Sequence, residues 1–507
     1  MNIPLISLNR LSLSVFVPLS LLVTVLTTGC SPAQEASTVN DASSQMTLDT
    51  LENKADEPKR PNIVLILTDD QGYGDTSGFG QTQYETPNID SIAENGVMLS
   101  HFYVSQPICS TSRASILTGA YANRLGISYA LFPTALTDGP AVGLNPDEET
   151  LPELLKEQGY ATGLFGKWHL GDVSPFLPTE HGFDTYYGIP YSNDMWSGNV
   201  NKNYDFGPLP VFDQDQIVET LTDDQSNLTK NITERSVAFI EKNAASPFFL
   251  MLAHPQPHVP LFVSKEFEGK SGAGLYGDVI MEIDWSTGQL IDALKRKGVY
   301  ENTLVIYMSD NGPWLTYGNH AGSSGELRNG KQSTFEGGVR TPAHIQWPAG
   351  LAKQDIVSTP MMTIDLLPTL AKLTGARLPE KEIDGKDIWP IISGKQSEPA
   401  HEAYFFYFHH NDLSAVRYKQ WKLYYPHRYN LVEQIGNNGN KGKSGFVMLD
   451  AIKLYDLDND PSETVDLSAE RPDIVAEIEA LADIKRAELG DDLRGIKGRE
   501  NRPMGSL

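Results

Sequence analysis

The stretch RPNIVLILTDDQGYGD, residues 60–75, decides how the chain is read. Ile63 to Leu67 form an apolar run too short for a helix and without polar alternation, which predicts a strand buried on both faces. The run ends on two adjacent carboxylates, Asp69 and Asp70, followed by glycines. A buried strand that opens onto paired acids is the pattern of a parallel sheet with a binding edge at its carboxyl end.

Working outward, the same alternation of element types recurs. TPNIDSIAENGV, residues 86–97, reads as a short amphipathic helix. In TLPELLKEQGYATGLFGKWHLG, residues 150–171, Thr150 and Glu153 have capping-box spacing, Leu151, Leu154 and Leu155 supply an apolar face, and Gly159 stops the helix. A strand over Tyr160 to Phe165 follows. A helix is predicted over Leu228 to Asn243 before the strand PFFLMLAH, and another over Tyr276 to Lys297 before TLVIYMSDNG. Strands alternating with helices predict an α/β fold, a large mostly parallel sheet covered by helices on both faces. From about Asp384 the pattern changes to short aromatic strands (EAYFFYF, AVRYKQWKLYY, KLYDLDNDPSETVDLS) and a polar helix over Asp473 to Leu489. That predicts a small C-terminal antiparallel sheet with a packing helix.

The composition sets outer bounds. The chain has 507 residues, 40% of them hydrophobic, enough for more than one core. Its two cysteines, Cys30 and Cys109, are too few for a disulfide framework or a Cys-rich zinc site. The net charge of −25 offers no basic stripe for nucleic acid, so no nucleic-acid partner is expected. Total charge sets solubility and the long-range field, whereas local cations govern a site, so an anionic substrate stays open. MNIPLISLNR, the apolar LSLSVFVPLSLLVTVL and TTGC predict a lipoprotein-type signal peptide over residues 1–29, with lipidation at Cys30. Plain secretion and an uncleaved anchor are the alternatives. Residues 30–59, polar and aperiodic, are expected to be a disordered tether. The expected organisation is completed by a catalytic domain, 60–383, and a C-terminal subdomain, 384–507. The expected location is the periplasm or the outer membrane surface.

Two residue sets carry chemistry. Asp69 and Asp70 follow one predicted strand, and Asp310 and Asn311 follow another. Three carboxylates and an amide form a hard oxygen set suited to Ca²⁺ or Mg²⁺ rather than zinc. Lys167 and His169 in GKWHLG, His258 in HPQPHVP and Lys331 in RNGKQSTFEGGVRTPA place cations on loops after strands, the makings of an anion pocket.

Residues 106–119, QPICSTSRASILTG, resemble the signature of the type I, formylglycine-dependent sulfatases of the alkaline phosphatase superfamily: Cys-x-Pro-x-Arg followed by Thr-Gly. Thr111 stands where that signature has proline. The resemblance extends in order through NIVLILTDDQGYGD, GKWHLG, GIPYSND, PHVP, SDNGP, GKQSTFEGGVRTPA and LYDLDNDPSE, and GIPYSND brings the chain nearer the arylsulfatase A branch. It implies an alkaline phosphatase-like fold and oxidation of Cys109 to Cα-formylglycine by a formylglycine-generating maturase. It also implies one Ca²⁺ held by Asp69, Asp70, Asp310, Asn311 and residue 109. A gem-diol hydroxyl of residue 109 would attack sulfur in line, assisted by Asp310 and the metal, and form a sulfoenzyme intermediate. Arg113 would steady the diol, while Lys167, Lys331, Ser192 and His258 would bind sulfate oxygens, with His258 or Lys331 protonating the leaving oxygen. His169 would take the proton whose loss expels sulfate.

The expected function is sulfate-ester hydrolysis on a sulfated polysaccharide, a galactan such as carrageenan being the specific expectation. Trp196, Trp314, Tyr317 and His320, near the motif loops, are candidates to stack on sugar rings, with core packing or a place on the rim the equal alternative for each. A phosphate or phosphonate monoester hydrolase is the alternative within the superfamily. A non-catalytic glycan-binding lipoprotein with Cys109 unconverted is the alternative outside it.

Overall fold

In the computed structural model, residues 60–137, 139–199 and 204–507 are described. The signal peptide, Cys30 and the tether lie outside them. Ten strands form the large sheet: β1 (Asn62–Thr68), β2 (Val97–Leu99), β3 (Ala161–Lys167), β4 (Thr185–Ile189), β5 (Leu209–Asp213), β6 (Gln216–Leu221), β7 (Phe248–Ala253), β8 (Thr303–Ser309), β9 (Ala343–Gln346) and β10 (Ile356–Val357). Their order is β10-β2-β9-β8-β1-β7-β3-β4-β5-β6. The five central strands β8-β1-β7-β3-β4 pair in parallel. Both margins turn antiparallel, through β9 against β8 and β2, and through β5 against β4 and β6. The sheet is therefore mixed: parallel pairing holds through the centre and returns at the edge, where β10 pairs in parallel with β2, while the short β5–β6 hairpin imposes an antiparallel pair at the other margin.

β1 shows why its sequence is apolar throughout. Ile63, Leu65 and Leu67 face one core with Leu117, Leu154 and Leu367 from helices α2 (Cys109–Thr118), α3 (Leu151–Glu157) and α6 (Leu366–Thr374). Val64 and Ile66 face a second core with Ile89, Ile232 and Ile283 from α1 (Pro87–Glu94), α4 (Leu228–Asn243) and α5 (Leu275–Arg296). Every one of the five is fully buried, so each contributes on the order of 1.5–3 kcal/mol of burial.

The parallel register brings the polar strand exits level. Thr68 pairs with Ser309, Leu67 with Ala253, Ala253 with Gly166, and Lys167 with Ile189. Asp69, Asp70, Asp310, Asn311, Lys167, the His254–Pro260 loop and Ser192 thus leave the sheet at one edge. Here β3 runs two residues beyond the predicted Phe165, which carries Lys167 to that edge.

The C-terminal region forms a four-stranded antiparallel sheet, β11 (Ala403–Phe408), β12 (Asp412–Tyr418), β13 (Trp421–Tyr424) and β16 (Lys453–Asp456), backed by α7 (Pro472–Leu489). A separate hairpin, β14 (His427–Gln434) with β15 (Lys443–Leu449), projects from it. Tyr103, Phe335 and Val339 share an apolar cluster with Phe406, Leu423 and Ile478. A buried ion-pair network reinforces this contact. Lys422 donates to Glu336 at 2.7 Å, Tyr103 OH donates to the same carboxylate at 2.7 Å, and Glu336 N donates to Glu463 at 2.8 Å.

Candidate active site

Cys109 is the first residue of α2 and is a buried free thiol. Burial, then the Asp69 carboxylate, push its pKa far above the ordinary thiol value, so the unmodified side chain holds its proton and makes a poor nucleophile. The two hydroxyls that follow it in the chain are occupied elsewhere. Ser110 Oγ accepts from Leu131 N at 3.1 Å, and Thr111 Oγ1 donates to the Ile108 carbonyl at 2.9 Å. Thr111 therefore fits the first turn where the signature has proline, by binding the chain back on itself.

The groups that do surround Cys109 are charged. Lys331 Nζ donates to Sγ at 3.2 Å and to Asp70 Oδ1 at 2.6 Å, and Sγ donates to Asp69 Oδ1 at 3.3 Å. Lys167 pairs with Asp69 Oδ2 and donates to Ser192 Oγ at 3.2 Å. Arg113, one turn along α2, donates to Asp310 Oδ2 from Nε at 3.0 Å and Nη2 at 2.8 Å, and to the Lys167 carbonyl at 2.7 Å. His258 Nε2 stands 3.5 Å from Asp70 Oδ2. Asp70 and His169 adopt positive φ, +65° and +66°, left-handed conformations that non-glycine residues keep where the surroundings enforce them.

The electrostatics are balanced. Burial tends to raise Asp69, but Lys167, His258 and Arg113 outweigh it and hold the carboxyl well below its usual range. Asp70 is pushed up to about 7, by burial against the pull of Lys331. His169 and His258 are held well below the ordinary imidazole value, first by burial and then by neighbouring cations, so both rings are neutral near pH 7. Three carboxylates thus face Arg113, Lys167 and Lys331. A divalent cation would leave the pocket net positive, as binding an anion requires.

The donor set fits such a cation. Ligand atoms of Asp69, Asp70, Cys109 and His258 lie within 4.8 Å of one another. Asp70 Oδ2 and Asn311 Oδ1 are buried acceptors with no hydrogen-bond donor. Asn311 Nδ2 donates to Asp70 Oδ1 at 2.6 Å, and Asp70 N donates to Asp310 Oδ1 at 3.2 Å, which joins the remaining expected ligands to the cluster. Orphaned oxygens beside three carboxylates are what a hard cation satisfies.

This centre forms the floor of a cavity of about 530 Å³, with Cys109, His169, Ser192, His258 and Lys331 in its lining. A larger groove of about 810 Å³, lined by Thr359, His401, Tyr404 and Lys419, contains none of these groups. Two stacking candidates, Trp314 and Tyr317, line the cavity. Trp196 does not line it; it is buried edge-on against Phe262, their centroids 5.5 Å apart, a core role. His320 is also absent from the lining. Phe132, Tyr204, Phe206 and Lys441 line it without having been signalled by any motif, and Asp194, the last residue of GIPYSND, joins them. They come from irregular loops and the β14–β15 turn, whose approach to the site depends on tertiary packing.

Residues 61–376 match the sulfatase family, and residues 399–497 match the C-terminal region of aryl-sulfatase. The chain belongs to the sulfatase family. As a sulfatase it is a sulfuric ester hydrolase with the alkaline phosphatase-like fold. It is 37% identical to arylsulfatase A of Bos taurus over 453 residues, covering 85% of this chain and 87% of that one. It is 38% identical to N-acetylgalactosamine-6-sulfatase of Mus musculus, covering 73% of each. Among solved structures it is similar to Ps i-CgsB, described in complex with k-i-k-neocarrahexaose, at 31% identity and a TM-score of 0.68, over 83% of this chain and 93% of that one. Sulfatases of this family are generally formylglycine- and metal-dependent, and this sulfatase brings the cysteine and the acidic oxygens together.

Proposed function

We propose that this sulfatase removes sulfate from a sulfated polysaccharide or its oligosaccharides, a marine galactan such as carrageenan being the specific candidate. The observation that carries this reading is the cavity itself, a charged floor around residue 109 beneath aromatic walls, Phe132, Tyr204 and Trp314, suited to sugar rings. The similarity to a protein described with a carrageenan-type hexaose supports the candidate. The leader sequence supports export and anchoring at Cys30.

In the proposed chemistry Cys109 is converted to formylglycine before folding by a maturase, since the thiol is buried in the folded chain. One hydroxyl of the hydrated aldehyde would pass its proton to Asp310 as its oxygen bonds to sulfur and the S–O bond to the alcohol breaks, and loss of the other hydroxyl's proton would re-form the aldehyde carbonyl and break C–O to release sulfate. Asp69, Asp70, Asp310, Asn311 and residue 109 would hold a Ca²⁺, which would supply positive charge to lower the pKa of the attacking hydroxyl.

The chain's own residues do the rest. Lys167, Ser192 and Lys331 hold the sulfate oxygens, and charge that spreads over those oxygens in the transition state is met by fixed ammonium groups. Arg113 fixes the Asp310 carboxylate from α2. His258 Nδ1 faces the Val259 carbonyl at 2.5 Å, so in the neutral ring Nδ1 carries the proton and Nε2 a lone pair. Lys331 is therefore the group that delivers a proton to the leaving oxygen. His169 Nε2 faces the Leu131 carbonyl at 3.0 Å, while its buried Nδ1 has no partner. That free Nδ1 is the base for the second hydroxyl.

The test is sulfate release from a panel of defined sulfated oligosaccharides, with nitrophenyl sulfate and nitrophenyl phosphate run beside them. Release from a galactan sulfate, and preference for the sulfate of the nitrophenyl pair, are expected. Preference for phosphate would favour the phosphate-ester alternative. Aryl sulfate turnover with every glycan untouched would overturn the polysaccharide reading.

A further inference from the structure

The β14–β15 hairpin reaches the cavity from the C-terminal region. Its turn is fastened by two backbone hydrogen bonds, Gly436 N and Gly442 N both donating to the Thr316 carbonyl, at 2.8 and 2.9 Å. Between them Lys441 enters the cavity wall, its ammonium 5.5 Å from the centre of the Trp314 ring. Lys331 approaches the same ring at 4.9 Å, so one indole carries two ammonium groups.

The two lysines differ in what else they touch. Lys331 is committed to Asp70 and Cys109 on the floor. The hairpin's other lysine near the turn, Lys443, is paired with Glu433. Lys441 is exposed and, among the described residues, forms no ion pair. Phe132, Tyr204 and Phe206 also line the cavity, with successive centroids 5.7 and 5.4 Å apart. Phe132 is 40% and Tyr204 46% exposed, so both offer apolar surface to a ligand.

A free ammonium at the rim, held one ring away from the cations of the floor and sharing the cavity with exposed aromatic surface, has a definite chemical meaning. It suits a sugar whose apolar face stacks on the aromatics and which carries a negative charge besides the ester being cleaved. We propose that Lys441 forms an anion subsite that reads a second negative charge, sulfate or carboxylate, on the same glycan chain. This rests on the glycan reading above. In a chain of net charge −25, such a local cation also offsets the long-range repulsion of a polyanion.

The experiment uses the full, matured, calcium-loaded chain and oligosaccharides sharing one scissile sulfate. One carries no further charge, one a second sulfate and one a uronate carboxylate. For wild type, kcat/KM is expected to be higher with the second anion. In Lys441→Met the ratio of charged to uncharged substrate should fall tenfold or more, chiefly through KM, and in Lys441→Glu it should fall further. Which of the two charged sugars loses more shows whether sulfate or carboxylate is the natural partner. An unchanged ratio in both variants would overturn the subsite. If wild type cleaves aryl sulfates alone, the glycan reading fails. The subsite is then judged on aryl sulfates with and without a second anionic substituent, where an unchanged ratio again overturns it.

Discussion

Lys331 Nζ lies 3.2 Å from Cys109 Sγ although 222 residues separate them in the chain. Under the proposed chemistry this ammonium holds a sulfate oxygen and protonates the departing alcohol. Lys331→Ala should therefore lower kcat/KM by about 10²–10³. The loss should be larger for a sugar sulfate, whose alcohol leaves poorly, than for nitrophenyl sulfate, whose phenolate needs less help. His258→Gln should show no such dependence on the leaving group. Equal losses on both substrates for Lys331→Ala, or a leaving-group dependence that follows His258, would transfer the acid role.

His169 is neutral because burial, Lys167 and Arg113 hold its pKa well below the ordinary imidazole value. A group that must be unprotonated to act and has a lowered pKa keeps its function as pH falls through 6.5. The acid limb of kcat due to this group should thus lie below pH 6.5. His169→Ala should leave attack intact and slow release, so intact mass measured during turnover should show sulfate retained on residue 109. A variant that turns over slowly without retaining sulfate would argue against the base role.

The orphaned oxygens of Asp70 and Asn311 call for a cation. Calcium should raise the Tm of the purified protein in a saturable way, by about 2.7 kcal/mol of stabilisation at a hundredfold excess over Kd. Chelation should reverse it, and Asn311→Ala should shrink the calcium-dependent increment. No calcium effect on Tm at any concentration would contradict the site.

The buried Glu336–Lys422 pair ties the segment that follows Lys331 to the C-terminal sheet. Burial favours the neutral acid, yet Lys422, Arg340 and Arg417 outweigh it and hold Glu336 at about 2, against an ordinary 4.5. A depressed carboxyl contributes stability that is present above pH 4.5 and lost as pH falls from there toward about 2. Lys422→Met should cost about 3–5 kcal/mol near neutrality, by leaving a buried carboxylate short of its partner. Its stability should then fall less steeply than that of wild type over that acid window. Denaturant midpoints at pH 7 and pH 3 measure both effects.

The sheet was legible in the sequence because its central strands are apolar on both faces and end in charges. Ile63 to Leu67, Phe248 to Ala253 and the strand before Asp310 announce themselves without reference to any partner. The charged floor was legible for the same reason, since strand exits in a parallel sheet meet at one edge. The cavity walls were not. Phe132, Tyr204 and Lys441 sit in segments without periodicity, and their approach to the site is set by packing of loops and by the Thr316 hydrogen bonds. Trp196 and Trp314 show the same limit: both sit beside motifs and both could stack on sugar or pack inside, and only the fold places Trp196 in the core and Trp314 on the cavity. The antiparallel margins were likewise hidden, because short strands such as Val97–Leu99 carry too few residues to reveal a partner or a direction.

The central claim is that an aldehyde derived from Cys109, not the thiol, performs the hydrolysis. It is tested by preparing the protein with and without maturase, measuring by peptide mass the fraction of residue 109 converted, and plotting sulfate release against that fraction. The rate is predicted to rise in proportion to the converted fraction and to pass through zero for unconverted chains and for Cys109→Ala. Full turnover by chains that retain the thiol would contradict it.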